Sequence, residues 1–434
     1  MKNLIKNSAV ALLIAIGVQA QAQDKISVED QLDSRNLPNY RPPSQLGINT
    51  FEPNKDTLSD FEEIEVRIGG AFALQFQALD HENSGAVPLI EIGDNFNLAT
   101  ANLDFDVMLY EGVILHLRTY LSSRHHPEPY VKGGYLQIDK LDFIREGFMD
   151  ELMNHMRIRI GHMENNYGDA HFRRTDNASA IYNPFVGNLI MDAFTTEVGA
   201  EVYYFQGGFL GMIGATNGKL NQAVTAPGTS GPSWLAKIGY DTGMDNQYED
   251  DFRFRLTGSV YHTNKVQNSY LYSADRAGSR YYLVLEPVDA TSSDNFRSGR
   301  INPGLGNEVT AFMINPFLRF GGLEFFGTYE TATGKRNSEA DDRSWNQYAG
   351  ELIYRFGRNE NFYAGGRYNL VSGEEMGGND VEVSRYNLAA GWFMTKNILA
   401  KVEYVSQNHE GYLPTSILHE GHFDGLMLEA VISF

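Results

Sequence analysis

The densest group of chemically capable side chains lies in Met163 to Asp192 (MENNYGDAHFRRTDNASAIYNPFVGNLIMD), where Asp169, His171, Arg173, Arg174, Asp176 and Asn177 fall within nine positions. Acids and guanidinium groups at this density can bind or repel ions. They lack the serine and histidine partnership that nucleophilic catalysis requires. His125 and His126 (RHHPEP), and His419, Glu420 and His422, form two further histidine groups. His419 and His422 are three apart, not the four that place two zinc ligands on one helix face. With no cysteine in 434 residues, thiolate metal sites, disulfides and cysteine nucleophiles are excluded. The formal charge of −20 argues against DNA or RNA, which would want a basic face. Neither an enzyme nor a cofactor or metal site is expected.

The elements that carry these groups are legible as a period-two pattern. Ile64, Val66, Ile68, Gly70, Phe72, Leu74, Phe76 and Ala78 alternate with Glu63, Glu65, Arg67, Gly69, Ala71, Ala73, Gln75 and Gln77. Such alternation puts one face in an apolar medium and the other in a polar one. It recurs at the end of the chain, where Leu426, Leu428, Ala430, Ile432 and Phe434 share a face. Sixteen such runs can be marked, near 63–79, 94–110, 112–122, 130–140, 155–162, 193–206, 208–217, 232–241, 251–264, 308–321, 322–334, 344–357, 360–372, 380–394, 397–410 and 422–434. Fourteen or eighteen strands remain open as alternatives. Connections after even strands are mostly tight, as at Glu111-Gly112 and Gly321-Gly322, whereas 80–93, 163–192 and 265–307 are long. Residues 141–154 read as a short amphipathic helix and 242–250 as an acidic loop, both exceptions to that rule.

Lys2 and Lys6, the apolar run Ala9 to Val18, and Ala20-Gln21-Ala22 have the order of a secretory signal peptide, placed at residues 1–22. Residues 23–62 read as a periplasmic amino-terminal segment, chiefly a tail, with a partial plug or docking arm as alternatives. Residues 63–434 read as the barrel. No later run is long enough for a helical span, so a membrane could be crossed only by a closed barrel. Sixteen strands enclose a lumen too wide for side chains alone to fill, so the apolar face must point to lipid. Tyr110, Tyr120, Tyr204, Tyr240, Tyr354, Tyr368, Trp392 and Tyr404 then suit the headgroup level. The predicted class is an all-β, transmembrane, antiparallel up-and-down barrel with a long third loop.

On that facing, twelve basic residues point inward, among them Arg67, Arg118, Arg157, Arg159, Lys237, Arg253 and Arg255, against twelve acids. These can be cross-strand salt bridges that stiffen the wall, or charges that select ions. The third loop is expected to fold inward and narrow the pore, with packing over the rim or a neighbouring subunit as the alternative. Arg157, Arg159, Asp169, His171, Arg173, Arg174, Asp176, Arg253 and Arg255 are the candidate constriction residues.

The whole arrangement resembles Gram-negative outer-membrane porins, and Arg157 onward (RIRIGHMENNYGD) resembles the phosphate-selective porin O and P family. There, a basic-apolar strand enters the constriction loop. That resemblance implies a trimeric anion channel lined by arginine and lysine, which Arg157, Arg159, Arg173 and Arg174 would match. It also implies that terminal Phe434 is read by the barrel-assembly machinery, and that the surroundings are outer-membrane lipids. The expected function is passive diffusion of small hydrophilic solutes or ions, such as phosphate. A non-conducting structural or adhesive barrel and a transporter of apolar substrates are the alternatives.

Overall fold

A computed structural model of the chain describes residues 37, 39–53, 55, 61–97, 99–122, 126–176, 178–219, 231–244, 252–273 and 280–434. The expected signal segment, His125, Asn177 and most of the acidic loop at 242–250 lie outside the described residues.

Strands form where the alternation predicts them. They are β1 (Glu65–Glu82), β2 (Asn95–Phe96), β3 (Thr100–Tyr110), β4 (Val113–Ser122), β5 (His126–Ile138), β6 (Met156–Glu164), β7 (Thr196–Gln206), β8 (Phe209–Thr216) and β9 (Ser233–Asp241). There follow β10 (Phe252–Thr263), β11 (Glu308–Phe320), β12 (Leu323–Lys335), β13 (Arg343–Phe356), β14 (Phe362–Glu374), β15 (Asp380–Thr395), β16 (Ile398–Glu410) and β17 (His422–Ser433). All pair antiparallel with sequence neighbours, and β1 closes the ring on β17 from Ala71↔Ser433 to Glu82↔His422. The two-residue β2 covers β1 only at Phe76 and Gln77, so sixteen strands make the wall. The second strand thus starts at Thr100 rather than near 94. Closure leaves no sheet edge, which a barrel in hydrocarbon requires.

The facing follows the pleat. Ile213, Ile238, Phe320 and Leu388 are 62 to 71% exposed on the outside, while Met427, Glu429 and Val431 point inward and are buried. Near the short-turn rim, Tyr354, Phe356, Phe362 and Trp392 stack in series across β13, β14 and β15 at centroid spacings of 5.8 to 6.0 Å. Gly207 and Gly208 turn β7 into β8 with φ of 56° and 84°, the positive values a two-residue hairpin needs. The predicted helix at 141–154 is mostly turns with a single helical turn, α1 (Asp150–Met153). Four residues cannot sustain a helix by themselves, and Met149 enters it with a positive φ of 60°. Among the described residues no helix is long and apolar enough to cross a membrane.

The lumen is largely filled. The third long loop (165–195) and the loop between β10 and β11 both fold inward. Ile190, Met191, Leu271 and Tyr272 pack on Val309, Ala311 and Met313 of β11, Trp345 of β13 and Val383 of β15. The inward face of this half of the wall is therefore partly apolar and covered by loops. Residues 39–53 of the amino-terminal segment also lie within the barrel, with Asn39, Asn49, Thr50, Phe51 and Glu52 buried.

Candidate functional site

Strand pleat fixes the cations of the wall, and the inserted loop supplies their acids. Arg255 and Arg253 lie on the inward face of β10, where Asp241 of β9 is the register partner of Arg255. Asp169 of the loop takes two bonds from Arg255 at 2.8 and 2.9 Å, one from Thr257 at 2.8 Å, and an ion pair with Lys237 at 2.7 Å. Glu52 of the amino-terminal segment joins the same cluster, meeting Arg255 at 2.6 Å and Lys237 at 2.8 Å. Burial pushes the carboxyls of Asp169 and Glu52 up. The charges of Arg255 and Lys237 outweigh it and hold both below the ordinary range, Glu52 well below. Four charged side chains and a threonine thus weld the loop and the segment to the wall.

The other predicted constriction residues separate into two groups. Arg157 is fully buried, donating to Asp139 at 2.9 Å and to the Pro53 carbonyl at 2.7 Å. Arg253 is bidentate on Asp241 at 2.8 and 2.6 Å. Arg174 is bidentate on Asp192 at 2.8 Å and lies 4.0 Å from the Phe194 ring centre. Arg173 donates to Glu351 at 3.2 Å and to Asn49. These four, like Asp169 and Arg255, are structural ties within the packed lumen. Arg159, His171 and Asp176 instead line a polar cavity of about 190 Å³ between the loop and the wall of β3 to β7.

That cavity is the candidate site. Its basic residues are Arg41, Arg118, Lys132 and Arg159; its acids are Asp106, Glu164 and Asp176, with His116, His162 and His171 beside them. Most are paired. Arg118 is bidentate on Asp104 at 2.8 Å and reaches Asp176 at 3.4 Å, while Lys132 also pairs with Asp176. His116 meets Asp106 at 2.5 Å and His171 meets Glu164 at 2.8 Å. Arg159 donates to the neutral Gln137 at 2.9 Å and lies 5.3 and 5.4 Å from the rings of Tyr135 and Tyr203. Its register partner Glu201 is engaged with the Asn166 amide and the Tyr203 hydroxyl. Arg41 donates to the carbonyls of Gly47 and Phe172, both at 2.9 Å, with its guanidinium 3.6 Å from the Tyr182 ring centre. Burial draws its guanidinium down to about 10, so it stays cationic at neutral pH. Among the described residues, Arg41 and Arg159 have no carboxylate partner.

Arg41, Lys132 and Glu164 were not singled out from the sequence. Arg41 stands before Pro42-Pro43 in a segment without alternation, so nothing assigned it a facing. The histidine groups near the carboxyl end are spent locally: His419 bonds the Tyr412 carbonyl, and His422 bonds Asn408 at 2.8 Å. Among the described residues no set of three or more His, Asp or Glu could hold a metal ion.

No protein-family model matches the chain, and no curated protein matches it. Solved structures do match in fold. An anion-selective porin from Comamonas acidovorans is 12% identical, with a TM-score of 0.53 over 86% of this chain and 100% of that one. The outer-membrane channel DcaP of Acinetobacter baumannii is 11% identical, with a TM-score of 0.52 over 87% and 100%. The outer-membrane protein OmpT of Vibrio cholerae, in a trimer form, is 12% identical, with a TM-score of 0.51 over 86% and 100%. At such identities the likeness is one of barrel architecture.

Proposed function

We propose that this chain is an outer-membrane channel that passes small hydrophilic solutes by passive diffusion and prefers anions. The observation that carries the reading is the polar cavity along β3 to β7, into which Arg159 and Arg41 bring guanidinium groups that, among the described residues, have no carboxylate at ion-pair distance. A closed wall with an apolar exterior supplies the membrane body, and the passage runs off-centre between the third loop and one side of the barrel. Residues 1–22 act as the cleaved export signal, residues 23–62 form a periplasmic-side segment, and Phe434 is read during assembly into the outer membrane. The trimer form of the Vibrio cholerae structure supports a homotrimer here. Phosphate is the anion the porin O and P resemblance suggests, and Arg159 and His162 of RIRIGH line the cavity.

The packed half of the lumen favours a second reading, a structural barrel that does not conduct. Single-channel recording of the full chain in planar bilayers separates the two. A current with a reversal potential on the anion side in a salt gradient is expected. No current refutes the channel, and a cation-side potential refutes the preference.

A further inference from the structure

The amino-terminal segment crosses the short-turn mouth of the barrel from wall to wall. Gln45 donates its amide to the Lys396 carbonyl at 2.7 Å in the β15–β16 turn, and its side chain reaches the Asn359 carbonyl at 2.9 Å. Lys55 donates to the Asp139 carbonyl at 2.9 Å just beyond β5 and to the Met156 carbonyl of β6. Ten strands of the wall separate these anchors on one side and six on the other, so the segment spans the opening.

The crossing is built on both sides. Phe317 of β11 and Phe326 of β12 point inward, apolar rings where an open lumen would wet them, and Phe51 covers them, its ring centre 5.4 Å from that of Phe317. Arg255 and Arg253 stand 4.3 and 5.3 Å from the Phe51 ring centre. Glu52 supplies an acid to Arg255 and Lys237, and Asn49 bonds Glu324 at 2.6 Å. Toward the cavity, the same segment contributes Asn39, Tyr40, Arg41, Phe51 and Pro53 to the lining.

We propose that residues 39–53 are the second half of the constriction, a strap that sets the size limit of the solute and, through Arg41, part of its charge preference. The third loop alone does not enclose the passage. Phe51 and Glu52 are positioning residues: Phe51 packs edge-on to Phe172 at 5.8 Å between ring centres, and Arg41 is held by the Phe172 carbonyl of the loop at 2.9 Å. This inference rests on the channel reading.

The test uses the full chain in planar bilayers, with potassium chloride as the conducting salt and neutral polyethylene glycols of graded size as gauges. The double variant Phe51→Ala, Glu52→Gln should raise conductance roughly two-fold and admit larger glycols, because a lumen of this strand number is water-filled wherever no segment occupies it. In the same background, the pair Gln45→Cys, Lys396→Cys adds a lock to a cysteine-free protein, and its oxidation should return conductance toward the wild-type value. Arg41→Gln should lower the anion-to-cation permeability ratio severalfold. Unchanged conductance and glycol cutoff in the released variant would overturn the strap, as would an unaltered permeability ratio in Arg41→Gln. Should the released variant not insert, the lock is placed in the otherwise native chain. Equal conductance before and after oxidation then supports a strap seated during conduction, and a fall on oxidation overturns it. A wild-type chain that passes no current refutes the channel reading itself, a distinct outcome.

Discussion

On the proposed channel reading, replacing Arg159 with glutamine should remove a large part of the anion preference. Arg159 lies on β6, lines the cavity, and spends its guanidinium on a neutral amide and two aromatic rings. An ion passing at about 5 Å in water-like dielectric feels a unit charge at roughly 0.8 kcal/mol. At about 0.1 M salt, with a Debye length near 10 Å, roughly 0.5 kcal/mol of that survives. The charge helps an anion and hinders a cation equally, so its removal shifts the difference by about 1 kcal/mol, or roughly five-fold in permeability ratio. Reversal potentials in a potassium chloride gradient, for wild type and Arg159→Gln, measure this directly. Glutamine keeps a hydrogen bond to Gln137 within reach, so conductance should change little. An unchanged ratio would refute the placement of the passage along β3 to β7.

The charge cluster at β10 makes a stability prediction. Arg255→Met leaves Asp169, Glu52 and Asp241 with only Lys237 and Arg253, and the uncompensated buried carboxylate should destabilise the docked loop by about 3–5 kcal/mol. The temperature at which folded electrophoretic mobility is lost should fall, with earlier protease cleavage in 165–195; identical profiles would refute the tie. For pH the sign follows from the depressed carboxyls of Asp169 and Glu52. Their stabilisation is complete above the unfolded values and fades as pH falls through the folded ones, so the loop should resist protease at pH 5 and yield only well below pH 4. Loss of protection near pH 6 would contradict this. Gly187 abuts the loop between β10 and β11, where an added Cβ would fall 1.9 Å from the Tyr281 hydroxyl, which bonds Glu403 at 2.7 Å. Gly187→Ala should therefore displace that ring and cost about 1–3 kcal/mol, read as a lower unfolding temperature. Wild-type behaviour would mean the two loops are not in contact.

The wall was legible in the sequence because a strand buried in lipid must alternate, and the alternation fixes both its span and its facing. Ends agree to within a few residues at runs such as β15, the start of the second strand being an exception, and Met427, Glu429 and Val431 face inward as the pattern requires. The contents of the lumen were less legible. Alternation says that Phe317 and Phe326 face inward, but not that Phe51, more than 250 positions away in the chain, covers them. Inward acids were expected to meet inward cations. Glu330 instead accepts from the hydroxyls of Tyr167 and Tyr272, and Glu403 from Tyr281 and the Val186 amide. Those partners come from irregular loops, where no period records which way a side chain points. Arg173 and Arg174 showed the same limit: their types suggested a pore, and only their bonds to Glu351 and Asp192 reveal ties.

Net charge is a poor guide to selectivity here for a reason the geometry makes definite. A paired arginine and carboxylate present a permeating ion with a dipole, whose field falls faster with distance than that of a lone charge. The pairs Arg67 with Asp106, Arg367 with Glu351, and Lys401 with Glu429 therefore add little to the potential along the passage. Acids in outer turns, such as Glu339 and Asp342, are similarly engaged with Arg343 and Lys335. Exposed charges farther than a Debye length, about 8 Å in physiological salt, are screened in any case. What remains is the small set inside the cavity, where two guanidinium groups lack acid partners. The formal charge of −20 and a preference for anions are therefore compatible in one molecule. An ion samples the nearest unpaired groups, and here those are Arg41 and Arg159.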